Sequence, residues 1–332
     1  MTATTLAPPA APAAPAVVVP GAEALPAPEM TTGSQRRGLQ ALRPRALQRL
    51  RDYVTLTKPH IISLLLVTTL APMVMAAGGW PGGWRVVCTL LGGYLMAGGA
   101  NALNMFIDRD LDGGMTRTAL RPIPSGRMSP AHVLGFGVIL GVAAFALFWT
   151  QVNALSAGLS LAGLLWYVFV YTLWLKRRSP QACVIGGAAG AFPALVGWAA
   201  VTGELSATAA ALFAIVFVWT PPHFWALALV KQKEYGRVGV PMAPNVWGEH
   251  RTLRQMLGYA LALVPLTLAP VALGTAGAPY AVGALLLGGW FLRAVWRVYR
   301  AGDLTQPAWV AYRTSLLYLA LLFTAAALDA GL

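Results

Sequence analysis

Charged side chains are scarce in this sequence. Asp, Glu, Lys and Arg make up 11% of its 332 residues, and 57% of the residues are hydrophobic. Soluble domains contain roughly 25% charged residues, so this composition excludes an ordinary soluble domain. A bilayer span takes about 20 mostly apolar residues. The sequence therefore predicts an all-α, polytopic membrane bundle of nine transmembrane helices, at 61–80, 86–106, 132–151, 154–175, 183–203, 206–230, 256–275, 279–297 and 309–328.

Cysteine is also rare, and a secretory signal pattern is absent. Cys88 and Cys183 both fall in predicted spans, where we expect packing roles that indicate no redox compartment. Residues 1–35 are rich in Ala and Pro, and the arginine cluster follows them instead of preceding an apolar run. We predict that residues 1–52 are a disordered tail with an Arg-rich cytoplasmic arm, and that 53–332 form the transmembrane domain. The arm is compatible with a helix on anionic headgroups or with a plain topology anchor.

The positive charge has a one-sided distribution. The sequence has 24 basic and 11 acidic residues, and 22 of the 24 basic residues fall in the loops or span ends on one side of the predicted bundle. Arg85 falls on the other side, and Arg313 lies inside the last span. Because Lys and Arg excess marks the cytoplasmic side, we predict a cell (inner) membrane protein with its amino terminus in the cytoplasm and its carboxyl terminus outside. Nucleic acid is not needed as a partner to explain the charge.

Three polar residues recur at helical spacing at the end of the second predicted span. Asn104, Asp108 and Asp112 are four residues apart, which places them on one face of a helix. Carboxylates at a membrane edge usually mark function, and oxygen ligands of this kind suit Mg²⁺. The alternative is a helix cap or a topology-setting acid cluster. Asp110 points to the other side, where we expect Arg109 or Arg117 as its partner.

Basic residues accompany these acids in two places. Arg117 and Arg121, in the loop that follows, can recognise phosphate oxygens, or can be ordinary positive-inside charge. Lys176 and Arg177, after the fourth span, can complete a diphosphate pocket or merely anchor the helix.

The fifth and sixth spans contain helix-modifying residues. Gly186 and Gly190 form a small-xxx-small pair, which predicts close approach of a neighbouring helix. Pro221 and Pro222 predict a break within the sixth span. His223 beside that break either meets a substrate or is an ordinary core histidine.

Together these residues resemble the UbiA-type intramembrane prenyltransferases, through the Asn-xxx-Asp-xxx-Asp pattern. Longer strings resemble, within that family, the heme-farnesylating subfamily (heme O synthases). They include Leu56-Thr57-Lys58-Pro59, Tyr171-Thr172, Leu175-Lys176-Arg177, Thr220-Pro221-Pro222-His223-Phe224 and Val240-Pro241-Met242. The resemblance covers residues 53 to about 330.

The resemblance implies a nine-helix bundle around a central cavity, embedded in the lipid bilayer. It implies farnesyl diphosphate and heme b as substrates, heme O and diphosphate as products, Mg²⁺ as cofactor, and a heme A synthase as a candidate partner. The implied metal ligands are Asn104, Asp108, Asp112 and Glu234. The implied catalytic residues are Asp108, Asp112, Lys176 and Arg117, and the implied substrate-binding residues are Asn104, Arg121, Tyr171, Arg177, His223, Lys231, Lys233 and Tyr235.

The sequence departs from the family pattern after the sixth span. A second multi-aspartate motif is common there, but here only Glu234 stands where an aspartate before Tyr235 is usual. Such a motif would have favoured the alternative acceptors, a quinone precursor or a chlorophyll-type ring. A membrane transporter, with the loop acids as an ion site, is the alternative from another class. The polar motifs cluster at the inner rim of the predicted bundle, which disfavours a transporter.

Overall fold

The computed structural model describes residues 45–116 and 118–331, and every regular element in those ranges is helical. Nine of these helices are long and apolar enough to cross a membrane. We number them span one to span nine: Pro59–Ala77, Gly83–Ile107, Pro130–Gln151, Ala154–Leu175, Ala182–Thr202, Ala207–Val230, Glu249–Ala272, Ala278–Arg300 and Thr305–Asp329. The predicted all-α bundle of nine spans is therefore confirmed.

The largest difference from the predicted boundaries is at the start of span seven. This helix begins at Glu249, whereas the apolar run begins at 256. Its first turns contain Glu249, Arg251 and Arg254, which are exposed. Glu and Arg are good helix formers, so the helix extends beyond the apolar segment that hydropathy detects.

A shorter helix, Arg45–Thr57, precedes span one. The predicted domain boundary at 52/53 falls inside this helix. Asp52 is buried and accepts a hydrogen bond from Arg127 Nε at 2.9 Å, so this helix is tied to the loop that follows span two. Residues 1–44, which include most of the predicted tail and arm, lie outside the described residues.

Small residues bring the spans into backbone contact. A Cβ atom on Gly99 of span two would lie 2.8 Å from the carbonyl oxygen of Gly137 in span three. Gly197 of span five packs directly on the carbonyl group of Thr69 in span one. Close approach through small residues is the usual way that membrane helices associate. The expected packing role of the cysteines is confirmed, because Cys88 and Cys183 are both buried and unbridged.

The expected close packing is confirmed at one of its two glycines, and the expected break in span six is wrong. Gly186 does lie against a neighbour, the Tyr171 side chain, but a Cβ on Gly190 would meet nothing within 4 Å. Span six runs without interruption from Ala207 to Val230, through Pro221 and Pro222. Both proline rings are buried, and a proline within a membrane helix is tolerated where neighbouring helices compensate for the missing backbone donor.

Span seven consists of Glu249–Leu266 and Ala269–Ala272, and spans four and five are irregular as well. Span four is α-helical to Leu165 and then becomes a π-helix, Trp166–Leu175. Span five consists of two helices, Ala182–Gly186 and Ala188–Thr202, which meet at Gly187. Both irregular segments lie next to the predicted site residues, and π-helical segments occur frequently at functional sites.

Candidate active site

The predicted carboxylates lie where span two ends. The span stops at Ile107, and a four-residue helix, Arg109–Asp112, continues from Asp108. The i to i+4 hydrogen bonds continue through this junction, because Asp108 N donates to Asn104 O and Asp112 N donates to Asp108 O, each at 2.9 Å. Asn104 Nδ2 also donates to Asp108 Oδ2 at 2.7 Å. All three side chains are buried, so the sequence pattern produces one polar column at the end of the helix.

Each of the two carboxylates is paired with a cation. Lys176 Nζ, at the end of span four, donates to Asp108 Oδ2. Arg121 Nη1, in the loop after span two, lies 2.7 Å from both oxygens of Asp112. The carboxylates are 1% and 4% exposed and the cations 16%, so both pairs are shielded from water. Charges buried in this way must be paired to be tolerated.

One oxygen of this cluster has unused capacity. Asp108 Oδ1 is buried and has no hydrogen-bond partner among the described residues. Arg177 Nη2 lies 3.8 Å from it, beyond hydrogen-bond distance. A buried carboxylate oxygen without a hydrogen bond is costly. This atom is therefore suited to a ligand that supplies positive charge.

Sequence reasoning missed Lys58 as a member of this cluster. Its Nζ donates to Asn104 Oδ1 at 3.1 Å. Within the described ranges it is the one non-glycine residue with positive φ, at 56°. Burial, together with the nearby positive charges of Arg121 and Lys176, lowers the pKa of Lys58 to about 7. The available signal was its position, since Lys58 precedes Pro59 at the membrane edge.

The π-helix of span four positions Thr172 and Lys176 at the carboxylate column. Lys176 N donates to Tyr171 O at 2.8 Å, the i to i+5 bond of a π-helix. Thr172 Oγ1 donates to Tyr167 O at 2.8 Å and accepts from Asn104 Nδ2 at 3.2 Å. Tyr171, a predicted substrate-binding residue, stacks on Tyr167 with ring centroids 5.4 Å apart. The wider turn thus places Thr172 and Lys176 together beside the carboxylate column.

Arg109, one of the two predicted partners of Asp110, is wrong. Arg109 instead donates to Phe106 O at 2.7 Å, and Arg177 donates to both Asp110 oxygens at 2.7 Å. The hydrogen bond from Arg177 lowers the pKa of Asp110 to about 2 and raises that of Arg177. The error arose because spans two and four lie side by side, which local spacing does not show. Arg117 lies outside the described residues.

The second predicted acid, Glu234, lies in the segment after span six. Lys231 Nζ donates to Glu234 Oε1 at 2.9 Å, and the Glu234 side chain is 16% exposed. Lys233 is exposed and Tyr235 is buried. This segment meets the loop after span two, because a Cβ on Gly114 would lie 2.8 Å from Val238 Cγ1. The structure therefore brings the two polar segments to the same end of the bundle.

His223 is separate from this end. It lies eight residues before Lys231 in a continuous helix, about 12 Å along the axis at 1.5 Å per residue. Its ring lies between Trp219 and Tyr312, with centroids 4.4 and 4.8 Å away, and its Nδ1 is 2.7 Å from Ser315 Oγ. Sequence reasoning singled out His223 but gave no sign of these neighbours from span nine.

The arrangement at the polar end is suited to a metal–polyphosphate group. Acidic oxygens and cationic nitrogens alternate there, so the acids can bind a divalent metal while the cations bind phosphate oxygens. A metal–polyphosphate group has both signs of charge, so it can replace both members of these ion pairs.

Comparison with known proteins agrees with this chemistry. A sequence profile of the UbiA prenyltransferase family matches residues 65–326. Protoheme IX farnesyltransferase of Deinococcus radiodurans is 50% identical over 290 residues, which cover 84% of this chain and 93% of that protein. The proteins of the same name from Roseiflexus sp. and Thermus thermophilus are 52% and 53% identical over 84% of this chain. The chain spans only about half the length of these two, 52% and 46%.

Solved structures share the fold. A structure concerned with digeranylgeranylglyceryl phosphate synthase has a TM-score of 0.71 at 16% identity, covering 86% of this chain and 99% of that one. A UbiA homolog from Archaeoglobus fulgidus bound to DMAPP and Mg²⁺ has a TM-score of 0.60 at 15% identity, covering 82% and 98%. With the profile match and the identity to the D. radiodurans protein, these comparisons leave one conclusion: this multi-pass membrane protein belongs to the UbiA prenyltransferase family.

Proposed function

We propose that the chain transfers the farnesyl group of farnesyl diphosphate to a vinyl group of heme b, with addition of water, giving heme O and diphosphate. The observation that carries this proposal is the 50% identity to a protoheme IX farnesyltransferase of which the chain covers 93%. The buried carboxylates and cations at the polar end support the diphosphate half of the reaction. Membership in a prenyltransferase family argues against a transporter.

Asn104, Asp108, Asp112 and Glu234 would hold Mg²⁺ together with diphosphate oxygens. The donor set fits, because Asp108 Oδ1 is a buried carboxylate oxygen without a hydrogen bond. No group of three or more His, Cys, Asp or Glu side chains in the described ranges forms a metal site. Mg²⁺ commonly takes only one or two carboxylates and completes its shell with phosphates and water. When bound, Mg²⁺ neutralises part of the diphosphate charge.

The cations of the site act on the leaving group. As the C1–O bond of farnesyl diphosphate breaks, its electron pair leaves with the diphosphate, and negative charge accumulates on the phosphate oxygens. Lys176 and Arg121 already lie at the carboxylates and Lys58 lies at Asn104, so they can stabilise this charge without large movement. We assign Arg117 and Lys231 to the same group of phosphate-binding residues. The other proposed substrate-binding residues around this group are Arg177, Lys233, Tyr171 and Tyr235.

The farnesyl carbon then forms a bond to the heme vinyl group. The positive charge passes to the carbon next to the porphyrin ring, where water adds and releases a proton. The central cavity implied by the family, lined by apolar spans, would protect the allylic cation from early hydrolysis. We place heme contact at His223, and we propose a heme A synthase as the partner that consumes the product.

The activity is tested with purified full-length protein, heme b, farnesyl diphosphate and Mg²⁺, followed by mass analysis of the pigment. We expect a farnesylated hydroxyethyl heme. Efficient prenylation of 4-hydroxybenzoate without any heme product would contradict the proposal and favour a quinone precursor as acceptor.

A further inference from the structure

The imidazole of His223 is held in a fixed plane inside span six. Trp219 and Tyr312 lie on its two faces, at interplanar angles of 17° and 26°. The Phe224 ring meets it edge-on at 5.7 Å. Aromatic rings on both faces prevent rotation of the side chain. The ring can therefore meet a ligand only through an edge.

Ser315 determines which ring nitrogen carries the proton. Its hydroxyl donates to Tyr312 O at 2.6 Å, and the same oxygen lies 2.7 Å from His223 Nδ1. A hydroxyl has one proton, so Ser315 Oγ accepts a hydrogen bond from Nδ1–H. Trp219 Nε1 donates to Ser315 O at 2.9 Å, which fixes the serine backbone as well. The neutral imidazole therefore carries a lone pair on Nε2.

Nε2 is free to use that lone pair. Among the described residues it has no hydrogen-bond partner. It is also not among the fully buried side-chain atoms without a partner, so it is accessible to a ligand. His223 as a whole is partly exposed. A nitrogen in this state accepts a Lewis acid or a proton, but it cannot donate a hydrogen bond to a carboxylate.

We propose that His223 Nε2 is the axial ligand of the iron of the heme substrate, and that Ser315 is the positioning residue that fixes its tautomer. This rests on the proposed function, which supplies the heme. Histidines that bind metals almost always donate their other ring N–H to a hydrogen-bond acceptor, as His223 does to Ser315. Ligation would hold the porphyrin deeper in the bundle than Lys231, on the apolar side of the diphosphate site.

A second serine–histidine pair provides a matched control. His132 Nδ1 lies 2.8 Å from Ser129 Oγ, but this pair is exposed at the start of span three. Among the described residues no aromatic ring stacks on His132, in contrast to His223. His132→Gln therefore removes an equivalent hydrogen bond away from the proposed ligand site.

The test uses purified full-length protein titrated with ferric heme b and, separately, with metal-free protoporphyrin IX. We expect absorption and EPR spectra of nitrogen-ligated iron for wild type and His132→Gln. His223→Gln should lose that signature and bind heme at least about tenfold more weakly, with unchanged binding of the metal-free ring. Ser315→Ala should keep the heme but shift the iron–histidine band in the resonance Raman spectrum of the ferrous complex.

Several results would reject the ligation. An unchanged spectrum in His223→Gln rejects it, and so does an equal loss of heme and metal-free porphyrin, which would indicate stacking alone. If His223→Gln does not fold, the absence of an iron–histidine band in wild type rejects it. Heme O formation without a His223 signature leaves the proposed function intact and rejects only the ligation. A His223-ligated heme that is never farnesylated rejects only the proposed function.

Discussion

At the scale of single residues, the two acidic segments differ in their surroundings. Asp108 and Asp112 are almost completely buried against cations, and removal of either leaves Lys176 or Arg121 without its partner. Breaking a buried ion pair costs about 3–5 kcal/mol. We expect Asp108→Ala and Asp112→Ala to abolish farnesyl transfer at every Mg²⁺ concentration. Steady-state rates measured across a Mg²⁺ titration, with a check of folding, provide the test.

Glu234 should respond differently. Glu234 forms an ion pair with Lys231, three residues away, and Lys233 is adjacent in sequence. A single carboxylate therefore lies next to two positive charges. Such a site attracts a cation poorly until diphosphate neutralises the lysines. We expect Glu234→Ala to retain weak activity that rises with added Mg²⁺, and Glu234→Asp to approach wild type. Complete loss in Glu234→Ala at saturating Mg²⁺ would mean that the two acidic segments are equivalent.

The sequence predicted the column of Asn104, Asp108 and Asp112 because helical spacing is a local property. It did not predict the bond between Arg177 and Asp110, which are 67 residues apart. That contact depends on which spans are neighbours, and a single sequence does not contain that information. The same reason explains why Ser315 of span nine could not be connected with His223.

At the scale of secondary structure, Gly186 supports the π-helix of span four. An added Cβ there would overlap the Tyr171 side chain, whereas the same change at Gly190 meets nothing within 4 Å. We expect Gly186→Ala to destabilise the protein by about 1–3 kcal/mol, as overpacking usually does. It should also weaken diphosphate use, because Lys176 follows the displaced π-helix. Thermal unfolding and the KM for farnesyl diphosphate measure the two effects.

Gly190→Ala is the control for this experiment, since both positions lie in span five. Alanine is favoured over glycine in a helix by roughly 0.5–1 kcal/mol, so Gly190→Ala should be neutral or slightly stabilising. Equal behaviour of the two variants would show that the contact between Gly186 and Tyr171 does not support the π-helix.

The start of span one provides another prediction. Lys58 has a left-handed backbone conformation. This conformation raises the free energy of a non-glycine residue by roughly 1–2 kcal/mol and that of glycine by little. Lys58→Gly and Lys58→Ala both remove the ammonium group from Asn104, and both should reduce farnesyl transfer. Only Lys58→Gly should also relieve the backbone, so it should unfold at a higher temperature than Lys58→Ala. Equal unfolding temperatures of the two variants would show that the backbone of Lys58 is not strained.

The regular spans were predictable, but their irregular segments were not. Hydropathy responds to the solvation of whole segments, so it located all nine spans within a few residues at most ends. The run Trp166–Leu175 is as apolar as its neighbours, and nothing in it distinguishes i to i+5 from i to i+4 bonding. Conversely, the prolines of span six suggested a break that the surrounding helices prevent.

At the scale of the whole molecule, the orientation in the membrane remains a prediction. It follows from the placement of 22 of the 24 basic residues in the loops or span ends on one side of the bundle. We expect reporter fusions at Leu332 to be active outside the cytoplasm, and fusions in the loop after span two to be active inside it. A cytoplasmic reporter at Leu332 would contradict the orientation or the odd number of spans.

The paired charges at the polar end have a consequence for how ligands bind. Because Lys176 and Arg121 already neutralise Asp108 and Asp112, a metal that arrives alone adds positive charge that these two acids cannot balance. A diphosphate that arrives alone must draw the cations away and leave the acids unbalanced. When the metal and the diphosphate bind together, the acids pair with the metal and the cations pair with the phosphate oxygens. No charged group is then left without a counter-ion. Mg²⁺ and farnesyl diphosphate should therefore show positive thermodynamic coupling, each tightening the other by the same factor.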